Sequence, residues 1–269
     1  VPHARASDGT ELYWEETGAG RDVVLVPYWS LHPMVFGPIT AELARDHRVV
    51  RYDERGTGAS NRVGPYNPET GALDLEAVAE DAGLERAVAI CLVDASHRAV
   101  RVADRRPELI EHVVCLGGAP LTRDMFAGTD AMVGSRSVVD ALMHMVGTDY
   151  RGALRSILES TNPQMGADEL RERVRLQAEH VPREAAHERL LAWGSDEHAI
   201  EAGRALGSRL SILTGEDVGG GGWFPGPDVM EPILARHFPE ARIERIAKGL
   251  VSAPELTARF VRELAPAAR

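Results

Sequence analysis

The stretch Ala87 to Val100, AVAICLVDASHRAV, decides the fold. Ala87 to Leu92 is a continuous apolar run with the length of a strand buried on both faces, and Ser96 to Arg106 has the charge spacing of a helix covered on one side. A sharp strand-to-helix turn must lie between them. In an α/β sheet such a turn lifts one side chain above the strand ends, where ligands bind, beside the free N–H groups of the helix N-terminus. That is a natural seat for a nucleophile, and here Val93 holds it.

Strands and helices alternate on either side of this unit. His3 to Ala6 and Glu11 to Glu16 flank Asp8-Gly9-Thr10, a hairpin signal. Val23 to Val26 and His47 to Tyr52 read as strands, separated by an irregular loop, Pro27 to Pro33, and a helix from Phe36 to Ala44. A helix over Leu73 to Leu84 precedes the central strand, and a strand over His112 to Leu116 follows the central helix. Four helical patterns come next, over Gly134 to Val146, Tyr150 to Leu158, Ala167 to His180 and Arg183 to Trp193, with no strand signal among them. Alternation resumes with a strand at Leu210 to Thr214, a helix near Val229 to His237, a strand at Arg242 to Ile246 and a helix over Pro254 to Leu264. The expected fold is therefore α/β: a mostly parallel eight-stranded sheet covered by helices on both faces, with residues 1–121 and 208–269 as the core and 122–207 as a helical cap inserted after the sixth strand.

At 269 residues and 44% apolar content the chain can bury a substantial core. Its net charge of −11 speaks against nucleic acid or an anionic membrane as partner, because phosphates need a basic face. No apolar stretch approaches the roughly 20 residues that span a bilayer, and VPHARASDGT lacks a signal-peptide core, so a cytoplasmic location is expected. Cys91 and Cys115 each sit in an apolar run, where cysteine behaves as a small hydrophobe. The expected partner is a small-molecule ligand or substrate, and a second copy of the chain, forming a homodimer, is left open.

Four stretches resemble the α/β-hydrolase family over nearly the whole chain. YDERGTGAS, Tyr52 to Ser60, is similar to the turn after that family's fourth strand. GLERAVAICLV with RPELIEHVVCLGGAP resembles its nucleophile strand through sixth strand, LSILTGED its acid-bearing turn, and KGLVSAPELTARFVREL its catalytic-His loop and last helix. The resemblance implies a nucleophile, a His, an acid and oxyanion N–H donors. Its G-x-S-x-G pattern falls on Cys91 to Ala95, which sets Val93 at the nucleophile, and the His falls on Leu250. Only Asp217, at the acid position, survives. The first oxyanion segment becomes Pro27-Tyr28, with the Trp29 N–H and the Asp94 N–H as the implied donors.

Several side chains remain as candidates. Asp94 serves as a nucleophile if the register slips by one residue; as a structural group it caps the helix, and Asp94→Asn then costs at most about 1 kcal/mol. Tyr28 and His32, in the loop over the strand ends, are candidate proton donors, with Trp29 as an aromatic wall. Ser96 caps the same helix or lines the substrate pocket, and His97 faces either the pocket or the helix surface. Asp217, Trp223 and Leu250 complete the expected pocket, with Gly219 to Gly222 as a flap. His144, His180, His187 and His198 lack the spacing of metal ligands, so no metal and no cofactor is expected. Three functions stay open: a non-hydrolytic enzyme (cyclisation, elimination, isomerisation or rearrangement) acting on a small, largely apolar organic metabolite, a non-catalytic binding or partner protein, and a hydrolase using Asp94.

Overall fold

A computed structural model of the chain describes residues 2–29, 32–121, 140–193, 196–215, 226–246 and 254–264. Its centre is an eight-stranded sheet in the order β1-β2-β4-β3-β5-β6-β7-β8. Strands β1 (His3–Arg5) and β2 (Glu11–Thr17) pair antiparallel, and β2 joins β4 (His47–Tyr52) antiparallel. From there β3 (Arg21–Val26), β5 (Ala87–Leu92), β6 (Ile110–Leu116), β7 (Leu210–Gly215) and β8 (Arg242–Ile246) continue in parallel.

The period of two along a strand sorts β5 into two cores. Ala87, Ala89 and Cys91 face one side, and Val88, Ile90 and Leu92 the other. The first face is small enough to admit helix α3 (Ala95–Arg105), whose Ala95, Ala99 and Ala103 recur one turn apart and pack there with α2 (Pro68–Asp81). The second face carries the larger side chains and is covered by α1 (Gly37–Leu43) and, at the C-terminal end, Pro254–Glu263. All six residues of β5 and of β7 are buried, as expected of strands covered on both sides.

Between β6 and β7 the described chain is helical: α4 over 140–148, α5 (Tyr150–Thr161), α6 (Ala167–His180), α7 (Arg183–Trp193) and α8 (Glu197–Leu206). Leu142, Met143, Val146, Leu154, Val181 and Leu190 form a third apolar cluster, which meets the rest of the molecule at Tyr28, Trp29 and Val93. After β7 come α9 (Pro227–His237), β8 and α10 (Pro254–Glu263).

Two elements differ most from the sequence reading. Helix α2 begins at Pro68 instead of Leu73, because Asn67 and Thr70 form a reciprocal capping box around a proline in the first turn. Helix α8 is absent from the expected helices; its Ala199, Ile200, Ala202 and Leu206 join the α3 side of the core. Among the described residues no helix is long and apolar enough to cross a membrane. Asp217, Gly219 to Gly222, Trp223 and Leu250 lie outside the described residues.

Candidate functional site

The turn between β5 and α3 is sharp, and the strain falls on one residue. Val93 has φ of 39°, a left-handed conformation that a β-branched side chain adopts at a cost of about 1–3 kcal/mol. Asp94, the next residue, has ordinary helical angles, φ −67° and ψ −25°. The Val93 carbonyl accepts from the Ser96 hydroxyl, and its N–H donates to Leu116 O at 3.4 Å. Its side chain packs against the apolar cluster of α4 to α7. The strained seat of the turn therefore belongs to Val93, in the register read from the flanking sequence.

Asp94 occupies the N-cap of α3, yet its side chain makes no capping bond. Its Oδ1 accepts from the backbone N–H of Trp29 at 3.2 Å, and its Oδ2 accepts from Arg98 Nη1 at 2.9 Å. Arg98, one turn along the helix, also donates to Pro27 O at 2.6 Å and sets its Nε 3.3 Å from Glu54 Oε1. The other Glu54 oxygen lies 3.3 Å from Arg189 Nε on α7. Asp94, Arg98, Glu54 and Arg189 are all at least 96% buried, so two carboxylates and two guanidiniums form an internally neutral chain. Helix α2 makes room for it at Gly71, where a Cβ would fall 2.2 Å from Glu54 Oε1 and 2.3 Å from Arg98 Cδ.

This chain corrects two expectations. The Trp29 N–H does not face an open oxyanion site, because the Asp94 carboxylate already occupies it. Asp94 is also more than a cap, since its carboxylate pairs with the buried Arg98 one turn along the helix.

Of the aromatic and histidine candidates, Tyr28 lines a neighbouring narrow cleft with Phe36, Arg51, Tyr52, Thr57 and His180, and that cleft has room for little more than one water molecule. Burial, and then the charge of Asp94, pushes the Tyr28 phenol up. His32 caps the short helix Pro33–Phe36 by accepting from Met34 N–H at Nδ1, 3.2 Å away. Its ring stands 4.8 Å from that of His180, at the C-terminal end of α6. His180 Nε2 is 3.4 Å from Asp53 Oδ1, while Asp53 Oδ2 accepts from Ala59 N–H at 2.9 Å. Burial raises the Asp53 carboxyl and lowers His32, and burial together with the charges of His32, Arg189 and Arg62 brings His180 down to about 4. Gly58, with φ of 48°, lets this group close: a Cβ there would lie 2.0 Å from Asp53 Oδ2 and 2.6 Å from His180 Cε1.

His97 faces neither pocket nor surface; it is fully buried with Nδ1 3.0 Å from Asp196 Oδ2 at the start of α8. Asp53, Glu54, Arg98, His180 and Arg189 are the groups that sequence reasoning missed. The spacing of Asp94 and Arg98 is an available ion-pair signal, and Asp53 and Glu54 stand in the charged turn YDERGTGAS; nothing local marks His180. Cys91 and Cys115 are unbridged on adjacent strands, with Sγ atoms 3.6 Å apart. Among the described residues no three His, Cys, Asp or Glu side chains are arranged to hold a metal ion.

No family model matches the chain. A pimeloyl (acyl-carrier protein) methyl ester esterase of Aliivibrio salmonicida is 34% identical over 67 residues, 25% of this chain and 23% of that protein. The chain matches the curated relatives over 23–33% of their own length. Whole-chain likeness is found among solved structures. An esterase from Exiguobacterium antarcticum has a TM-score of 0.75 at 18% identity, with 97% of each chain covered. A bromoperoxidase from Bacillus anthracis has a TM-score of 0.76, also at 18% identity and 97% coverage of each chain. Sheet order, strand-to-helix turn and these likenesses agree, and the chain has the α/β-hydrolase fold.

Proposed function

We propose that this chain is an enzyme that does not hydrolyse: it cyclises, eliminates, isomerises or rearranges a small, largely apolar organic metabolite of secondary metabolism beneath its helical cap, without a cofactor. The observation that carries this reading is the bond from the Trp29 N–H to Asp94 Oδ1. Ester and amide hydrolysis develops a negative oxygen that needs free N–H donors. Here one implied donor is taken, and it is taken by a carboxylate whose charge repels a second anion at the same place. Val93 offers neither proton nor lone pair to attack with, and Leu250, at the His position of the resemblance, offers no base. Asp94 is a poor nucleophile in this setting, since both of its oxygens are engaged and Arg98 holds its charge.

What remains suits positioning and proton transfer. Trp29, Met143 and Val146 belong to one packed apolar cluster, and Val93 and Tyr28 pack against it. The test is product mass. The chain is incubated with panels of small apolar oxo-compounds chosen by thermal shift, and products are weighed by mass spectrometry. With the reaction run in 18O-labelled water, a product of unchanged mass, or one lighter by an eliminated small molecule, that carries no solvent oxygen supports the reading. A product that carries oxygen from the solvent overturns it.

A further inference from the structure

The helices between β6 and β7 meet the elbow, the turn from β5 into α3, in two ways. One is apolar: Trp29, Tyr28 and Val93 join the cluster formed by those helices. The other is ionic and runs through the interior. Arg189 on α7 is 3% exposed; its Nε lies 3.3 Å from Glu54 Oε2, and its Nη2 donates to the Arg55 carbonyl in the same turn. Glu54 Oε1 lies 3.3 Å from Arg98 Nε, Arg98 Nη1 donates to Asp94 Oδ2 at 2.9 Å, and Asp94 Oδ1 accepts from the Trp29 N–H. An unbroken run of contacts therefore joins α7 to a backbone N–H beside the elbow.

The charges alternate along this path, so the hold of each member depends on the next. Glu54 stands between two guanidiniums, and Arg98 between two carboxylates. With the Arg189 charge removed, Glu54 keeps Arg98 as its ion-pair partner among the described residues, and Arg98 is drawn toward it from Asp94. The group would then hold one unbalanced negative charge in the interior, a costly state. Asp74, another buried carboxylate nearby, does not relieve it, because Asp74 is committed to Arg55, with Oδ1 2.7 Å from Nη2. Burial already raises the Asp94 carboxyl while Arg98 pulls the other way, so a slackened Arg98 is felt at Asp94. We propose that Arg189 is a positioning residue of the elbow: by docking α7 on Glu54 it holds Arg98 against Asp94, and so keeps the Asp94 carboxylate on the Trp29 N–H. Helix α7 and the elbow then act as one device, and whatever lifts α7 from the turn after β4 also frees that N–H donor. Apolar packing alone would not give this dependence on charge.

The inference concerns control of the same site and rests on the Trp29–Asp94 contact that carries the non-hydrolytic reading. The two fail separately, because solvent oxygen in a product bears on the chemistry, and exchange of the Trp29 amide bears on this path alone. Hydrogen exchange at the Trp29 N–H is followed by NMR in the full chain at one pH and temperature. Arg189→Met is expected to speed it about tenfold. In an Asp94→Ala background, where the acceptor is gone, the same substitution should add less than about twofold, since its effect runs through that carboxylate. Leu170→Ala removes a buried side chain of α6 outside the cluster that contains Trp29, and should leave Trp29 exchange within about twofold of the parent. A merely structural role for Arg189 would not separate these variants. If Arg189→Met does not fold, Arg189→Lys decides, because it keeps a positive charge on α7; exchange within about threefold of the parent is then expected. Unchanged exchange in a folded Arg189→Met protein, an equal rise in Leu170→Ala, or an undiminished effect in the Asp94→Ala background overturns the proposal. So does a rise above threefold in Arg189→Lys when that variant decides.

Discussion

The backbone N–H of Trp29 donates to Asp94 Oδ1 across 3.2 Å, so the first loop over the sheet is fastened to the start of α3 by the chain's own carboxylate. In a hydrolase of this fold the same N–H direction serves a transient anion on the substrate. Here the Asp94 carboxyl sits there; burial raises it, and Arg98, one turn along the helix, pulls the other way.

That balance sets the first prediction. Asp94→Asn keeps an acceptor for Trp29 but leaves Arg98 with Glu54 alone, and Glu54 is already shared with Arg189. Breaking a buried pair on one side is expected to cost about 3 kcal/mol, read as a fall in the urea midpoint at constant slope. A loss under about 1 kcal/mol would mean that the charge is solvated and the chain of ion pairs carries no weight.

A second prediction concerns strain at the elbow. Val93→Gly relieves a φ of 39° worth about 1–3 kcal/mol, against the lost packing of a half-buried side chain and the added freedom of glycine, each about 1 kcal/mol. Stability should stay within about 1 kcal/mol of the parent. Val88→Ala, in the fully buried strand beside it, should cost about 2 kcal/mol. Equal, large losses from both substitutions would show that Val93 is unstrained.

The third prediction is acid sensitivity with a defined sign. His180 falls from 6.5 to about 4 on folding, so between these values the unfolded chain takes up a proton that the native protein refuses. Stability is therefore complete above pH 6.5 and drains as the pH drops toward 4, by roughly 2–3 kcal/mol from this residue. His112, brought to about 4 chiefly by burial, acts in the same direction. Urea midpoints at pH 7 and 4.5 should differ less in His180→Gln than in the parent. An equal difference in both would remove His180 from the linkage.

Much of the fold could be read from Ala87 to Val100, because continuous apolarity followed by helical charge spacing leaves few alternatives. Helix α8 escaped although its buried Ala199, Ile200, Ala202, Gly203 and Leu206 recur at helical spacing; the expected helical block ends at Trp193, and α8 packs on the α3 side of the core. At the site, the Val93 register followed from local spacing. The Asp94 bonds did not, since they join residues far apart in sequence and depend on where Arg98 is buried. His180 is the extreme case, since it gains a partner only when α6 is set against the turn that carries Asp53 and Gly58.

The central claim, that the elbow performs no nucleophilic catalysis, is met most directly by covalent labelling. The parent chain and Val93→Ser are each treated with a fluorophosphonate and digested, and the peptide spanning Ala87 to Arg98 is weighed while hydrolysis of an activated ester is followed in parallel. Neither protein is expected to carry a phosphonyl adduct or to hydrolyse the ester above background, because Val93 cannot react and a serine in its place finds the Trp29 N–H already bound to Asp94. An adduct on that peptide of the parent chain, or brisk esterase activity from Val93→Ser alone, would contradict the account.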